Sequence, residues 1–323
     1  MAGATDRWAI NGTDLPAKPG QVGQVLMNGM PVVTGYLDDA NPDYDERHHL
    51  LMLCGRDFTG DLVDCSAVLD GQALLNRRLD QLAEELCKPF GIKVSVPAGG
   101  TGPVFPVQAV TGGETIYEVL SRAAAMRGLL PISDGNGGLV FTQAGNGRAK
   151  TPLILGRNLI RSRGLNSHKN RFYEYQIVGQ GLEHLAVAGS QEILQQCLAK
   201  AYDTNIRKSR MTRIVAGDAV TAGEAQILAN WVASNRAARG VRAELRVRGW
   251  LDGDTPWMPN TEVYVDDRFL RLKGWYLIAQ VESLLDEHEE ISLITVAPKA
   301  AYVPQPVFKF DGISYLQSQA ALP

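Results

Sequence analysis

Residues 21–39 read QVGQVLMNGMPVVTGYLDD, and the fold class turns on them. Asn28-Gly29 is the dipeptide that best supplies the two positive φ angles of a two-residue hairpin turn. After it Val32, Thr34 and Tyr36 fall on alternate positions, the period of a strand. Pro42-Asp43 predicts a further turn. In HHLLMLCGRD (48–57), Leu51 and Leu53 then continue the period of two. Residues 1–65 are expected to form a β-hairpin or meander of a barrel or sandwich.

Downstream the period changes. In GQALLNRRLDQLAEELCKPFGI, Leu75, Leu79, Leu82 and Leu86 share one helical face, and Pro89 and Gly91 end it. In TGGETIYEVLSRAAAMRGLL, Thr111 and Glu114 have the spacing of a capping box, with Ile116, Val119, Leu120 and Ala123 buried. DGNGGLVFTQAG (134–145) reads as a short hairpin. Residues 66–150 thus form a small α/β unit.

Strand character returns near 151. RFYEYQIVGQGL reads as a strand ending at Gly179 and Gly181, and the basic AYDTNIRKSRMTR as a loop. A third helix spans 221–240, capped by Thr221 and Glu224, with Ile227, Leu228, Trp231 and Val232 on its apolar face. In VRAELRVRGW (241–250), Val241, Ala243, Leu245 and Val247 alternate with charged residues, which makes one packed and one charged face. TEVYVDD, GWYLIAQVESLLD and EEISLITVAP complete a β run to about 302. The tail 303–323 has no clear period and is read as a docking segment or a mobile end.

Composition narrows the function classes. With 33 glycines, 16 prolines and a net charge of −3, the 323 residues suit a turn-rich, multi-domain globular protein without a general attraction for DNA or anionic lipid. No apolar run approaches the ~20 residues of a membrane helix, and no secretory signal is visible. Cys54, Cys65, Cys87 and Cys197 are scattered without metal-ligand spacing and are expected to be reduced.

Candidate chemistry centres on GRDFTGDLVDCSA (55–67), where Asp57, Asp61 and Asp64 crowd together. The spacing is not that of a calcium loop, and Asp beside Gly or Thr is the usual residue of turns and caps. The structural reading is favoured, with the three carboxylates fixing a junction above Cys65 and acting as a hinge between domains. His48-His49 point to opposite faces of a strand, and His168, His184 and His288 stand alone, so no metal site is expected. The glycine-rich pieces lack the Lys and hydroxyl of a phosphate loop, and no nucleophile elbow occurs. Arg242, Arg246 and Arg248 read as a solvated strand face or an ion-paired seam. Trp250, Trp257 and Trp275, with Pro256, Pro259 and Asn260, gather around GWLDGDTPWMPN (249–260), as a barrel plug in preference to an interface anchor. No catalytic residue, cofactor or metal is expected.

An ordered set of segments carries a resemblance over residues 18–302. It runs from PGQVGQVLMNGMPVVTGYLDDANPDYDERHH into GRDFTGDLVDCSA, and through QLAEELCKPFGIKV, GETIYEVLSRAAAMRGLL and YEYQIVGQGL. It ends with VRGWLDGDTPWMPNTEVYVDD, GWYLIAQVESLLDE and ITVAPKAAY. Together these resemble the baseplate hub proteins of Mu-like contractile-tailed phages.

The resemblance implies an α+β, β-rich fold in which two barrel-like hub domains flank the small α/β, LysM-like unit. It implies a structural virion protein of the tail baseplate, a homotrimer joining the tail tube to the trimeric spike, beside other baseplate proteins. DNA would pass through its lumen only in transit, which suits the low net charge, and the chain would bind no membrane. Family members begin with more strands than MAGATDRWAINGTDL supplies, so the first barrel is expected to be incomplete. The runner-up is the hub of a type VI secretion or tailocin-like machine, although the repetitive β-helix of a fused spike is missing. A third reading is a cell-wall-binding module of a tail-associated hydrolase, for which no carboxylate pair stands out.

Overall fold

A computed structural model describes residues 17–45, 49–68, 73–98, 100–184, 194–216, 220–285 and 289–307. The described chain divides into two compact units, one up to Thr142 together with Leu251–Pro256, the other Gln143–Trp250 and Trp257 onward. Positions on both sides of residue 65 therefore fall in one unit.

The first unit opens with β1 (Val22–Met27), β2 (Met30–Tyr44) and β3 (His49–Asp57), an antiparallel sheet in the order β1-β2-β3. The β1–β2 turn is the one expected: Asn28 and Gly29 take φ of 49° and 75°, which matches the turn to the twist of the strands. Pro42 does not turn the chain. It stays in β2 opposite Leu51, and the strand runs on to Tyr44. A proline is tolerated there because it forfeits only one ladder donor.

Next come α1 (Gly60–Asp64), β4 (Ala73–Arg77), α2 (Leu79–Cys87), β5 (Val94–Ser95), β6 (Phe105–Ala109), α3 (Ile116–Ala125), β7 (Leu130–Ser133) and β8 (Leu139–Thr142). Strand β4 pairs with β6, and β5-β8-β7 form a second small sheet. Leu79, Leu82 and Leu86 of α2 meet Val119, Leu120 and Ala123 of α3, with Phe105 and Phe141, in one core. Leu75, expected on the α2 face, lies in β4 instead. Helix α2 ends in a 3-10 turn at Lys88–Phe90, and Gly91 takes φ 66° beyond it.

The capping box of α3 also sits one turn later than expected. Thr115 Oγ1 accepts from Glu118 N (3.2 Å), and Glu118 Oε2 accepts from Thr115 N (2.9 Å). Thr111 and Glu114 share a spacing of three, but Gly113 between them has φ 87° and cannot start a helix. Glu114 closes a turn onto Thr111 N (3.1 Å) and pairs with Arg122.

The second unit contains β9 (Leu153–Ile154), β10 (Leu159–Asn166), β11 (Glu174–His184), β12 (Leu194–Tyr202), β13 (Met211–Val215), α4 (Ala222–Arg239) and β14 (Val241–Arg248). The short strands β15 (Leu251–Asp252) and β16 (Thr255–Pro256), counted with the first unit, come next. β17 (Glu262–Asp267), β18 (Leu272–Leu285) and β19 (Glu290–Ala297) complete the second unit.

Six strands in the order β10-β14-β19-β18-β17-β9 make the main sheet, antiparallel except at β9. Alternation in β14 works as expected: Ala243, Leu245 and Val247 are buried and join Val263, Val265, Ile278, Ile294 and Trp257 in one core. A second sheet, β12-β11-β13, carries α4 on one face, where Tyr175, Ile177, Leu228 and Val232 pack together. Strand β11 runs through Gly179 and Gly181 to His184 and does not end at them, because β12 continues to pair alongside. The expected loop AYDTNIRKSRMTR is a turn between two strand ends, β12 reaching Tyr202 and β13 starting at Met211.

The cap of α4 is as read, Thr221 N donating to Glu224 Oε2 at 2.8 Å. Its buried face is Ala225, Leu228, Ala229, Val232 and Ala233, whereas Ile227 is exposed. Ile227 lies about a quarter-turn from Leu228, off the stripe that alanines complete. Of the tail, residues 303–307 are described and 308–323 lie outside the described residues.

Candidate functional site

Asp57, Asp61 and Asp64 are engaged in shape rather than grouped in a pocket. Asp57 Oδ1, at the end of β3, accepts from Thr59 N (3.0 Å) and Thr59 Oγ1 (2.8 Å), an Asx turn that launches α1. Asp61 stands in the first turn of α1, where an acid complements the helix dipole, and its carbonyl accepts from Cys65 N at 2.9 Å. Asp64 pairs with Arg56 (2.7 Å), whose Nε also holds Asp38 of β2 (2.7 Å). The hydrogen bond from Arg56 holds the Asp64 carboxyl below the usual range, and the two acids raise the arginine's own pKa.

Arg56 is the residue the sequence reading missed. Its signal was the GRD triplet with Asp38 on the preceding strand, a pairing that needs the register Tyr36↔Arg56 to be known. Around it, Phe58 N donates to Thr34 O (3.1 Å), Thr34 Oγ1 donates to Gly135 O (3.1 Å), and Tyr36 meets the Phe58 ring edge-on at 4.7 Å. The β1–β3 sheet and the α/β part are thereby tied within one unit, and Cys65 packs at the margin of the shared core. Cys87 is buried, which pushes its thiol up to about 12 and leaves it protonated.

In the second unit the three tryptophans take separate roles, although Trp257 N donates to Trp250 O (3.0 Å). Trp257 is buried in the main core, Trp250 donates from Nε1 to Leu284 O (3.0 Å), and Trp275 is exposed. Trp275 lies under the Arg148 guanidinium (4.5 Å) and edge-on to Tyr264. Trp257 is thus a core residue, while Trp275 presents a ring to solvent.

Pro259 is exposed, and Asn260 beside it is buried with φ 64°. Asn260 is a clasp: Oδ1 accepts from Gly145 N (2.8 Å), Nδ2 donates to Gln143 O (2.9 Å), and its N–H donates to Ile278 O (2.8 Å). Gly179 is buried opposite Cys197, and Gly181 lies in the same strand. Arg246 and Arg248 both reach Glu289, at 3.6 and 3.3 Å, the ion-paired version of the charged face. His48 and His288 lie outside the described residues.

Among the described residues no three His, Cys, Asp or Glu side chains converge as a metal site, and no helix is long and apolar enough to cross a membrane. Large apolar side chains instead stand in solvent along strands: Val22, Val25, Leu26 and Val33 on β1–β2, and Leu198, Tyr202, Met211 and Val215 on β12–β13. Exposed apolar strands of this extent mark association surfaces. The fold and these surfaces define a class, β-rich proteins with faces suited to association.

Known proteins resolve the class further. Three family models match: Mu phage baseplate assembly protein GpP-like, N-terminal, at residues 3–57; baseplate hub protein gp44-like, second domain, at 59–143; and Mu phage baseplate assembly protein GpP, fourth domain, at 221–305. The baseplate hub protein gp44 of Escherichia phage Mu is 31% identical over 300 residues, covering 90% of this chain and 79% of its own.

The crystal structure of the 43 kDa tail protein of prophage MuSo2 from Shewanella oneidensis superposes with a TM-score of 0.79 at 34% identity. That match covers 91% of this chain and 86% of the other. A tail protein from Neisseria meningitidis MC58 shares the fold at a TM-score of 0.72 and 21% identity, covering 90% and 87%. The chain belongs to the baseplate hub family of Mu-like phages and is a structural component of the phage tail, and so of the virion.

Proposed function

We propose that three copies form a ring at the centre of the baseplate, joining the tail tube to the spike and surrounding the path of the DNA, without a catalytic role. The observation that carries this reading is the β1-β2-β3 sheet, whose exposed Val22, Val25, Leu26 and Val33 line strands with no further strand paired to β1 among the described residues. Such an edge is a template for another chain unless something covers it. The residue ranges 1–65 and 151–302 are the two barrel-like hub domains in this proposal. The α/β part, with α2 and α3 packed against each other beside β5-β8-β7, is read as LysM-like. Asp57, Asp61 and Asp64 fix the ring-facing sheet to that part, and Trp250, Trp257, Pro259, Asn260, Gly179 and Gly181 shape the second hub domain. A net charge of −3 suits a conduit, since a strongly basic lumen would retain the polyanion it must release.

Light scattering on the purified chain, alone and with its spike partner, tests the ring. The expected mass is three times the 35.1 kDa of one chain. A monomer under both conditions contradicts the proposal, and lysis of purified cell wall by the protein would contradict the absence of catalysis.

A further inference from the structure

The second unit holds a cavity of about 710 Å3, a size at which specific ligand sites occur. Phe172, Ile214, Leu228 and Trp231 make its apolar wall. Lys169 and Arg171, from the segment after β10, and Arg236 and Arg239, from the last turn of α4, make its charged wall. Among the described residues no carboxylate lines it, in a chain whose net charge is −3. Arg171 is committed to Asp203 at 2.7 Å, both side chains being buried. Lys169, Arg236 and Arg239 have no carboxylate partner among the described residues. Arg236 stands over the Phe172 ring at 5.5 Å, with Arg210 at 4.8 Å, so the aromatic floor is flanked by cations. The helix dipole accounts for arginines at the C-terminal end of α4 but not for Lys169 and Arg171 on the facing segment.

We propose that this cavity is a docking site for an acidic, amphipathic peptide segment of a partner protein. An aliphatic or aromatic side chain enters the apolar part, and carboxylates meet Lys169, Arg236 and Arg239. Charge complementarity selects an acidic occupant, and the concave aliphatic wall of Ile214 and Leu228 selects a peptide side chain over a nucleic-acid strand. Gln305 also lines the cavity, so the chain's own residues 308–323 are the nearest rival in sequence. Their sequence, FKFDGISYLQSQAALP, has one Lys and one Asp and offers no excess of negative charge.

The test is a fluorescence-polarisation titration of the full chain with a dye-labelled peptide EDFLEE, independent of the ring's stoichiometry. Saturable binding that weakens with salt is expected, and the basic analogue KKFLKK should not bind. Arg236→Glu with Arg239→Glu should weaken binding at least about tenfold. Lys169→Glu, in an exposed segment where misfolding is not at issue, should weaken it by a smaller factor. The proposal is overturned by absence of binding, by equal binding of both peptides, or by unchanged affinity in both variants. Displacement by a peptide of residues 308–319 or by a single-stranded oligonucleotide overturns it as well.

Discussion

The six-stranded sheet of the second unit and the three-stranded sheet of the first are woven from similar alternating strands, yet they are covered differently. In β14, Leu245 is wholly buried and meets Val263, Ile278 and Ile294. In β1, Val22, Val25 and Leu26 stay 65, 52 and 53% exposed. Alternation is a local property and specifies a strand. Cover is a long-range property and depends on what else the strand meets. The same contrast separates two arginines: Arg171 is enclosed with Asp203, whereas Arg56 holds Asp38 and Asp64 at the surface.

This contrast can be broken experimentally. Arg171→Ala should have the largest effect, about 3–5 kcal/mol of lost stability by urea unfolding, because Asp203 would remain buried without its partner. Arg56→Ala should leave the unfolding midpoint nearly unchanged, and an equal loss in both would erase the distinction. Leu245→Ala should cost about 2–5 kcal/mol through the cavity it leaves in the six-stranded core.

Asp80 gives a smaller, pH-dependent effect. The hydrogen bond from Arg78, with help from Thr101, holds its carboxyl down to about 2. A depressed carboxylate pKa stabilises the fold above the ordinary value, and that contribution disappears as pH falls from about 4 to about 2. Asp80→Asn should therefore cost about 1–2 kcal/mol at neutral pH and almost nothing at pH 2, in paired denaturation series. Smallest for the folded chain is Leu26→Ser on β1, within about 0.5 kcal/mol of wild type. Its expected consequence is a loss of trimer mass in light scattering, and an undiminished trimer would remove β1 from the interface.

What could be read from the sequence follows the range of the interaction. Asn28-Gly29, Thr221 with Glu224, and the alternation of Val241–Val247 are decided by neighbours a few residues away, and the structure keeps each of them. Leu75 shows the limit: its spacing fits the α2 face, but pairing of β4 with β6 takes it into a strand. Gly179 and Gly181 look like a strand end, yet pairing with β12 carries β11 past them. The Arg56–Asp38 pair depends on strand register, and the cationic cavity joins residues 169–171 to 236–239. Neither has a signature within one segment of sequence. Family resemblance supplied the hub reading because an ordered series of weak segments carries information that no single one holds.

The small hairpin β15–β16 has a consequence for how the protein is made. It contacts β2, and Asn28 Nδ2 reaches Asp254 O at 3.4 Å, although it is encoded far downstream of Thr142. Translation delivers ~5–20 residues per second, so the first unit waits roughly 5–20 s for its last two strands. Throughout that interval the first unit lacks a hairpin that packs against β2. The first unit is therefore completed only after residues 143–250 of the second have been made.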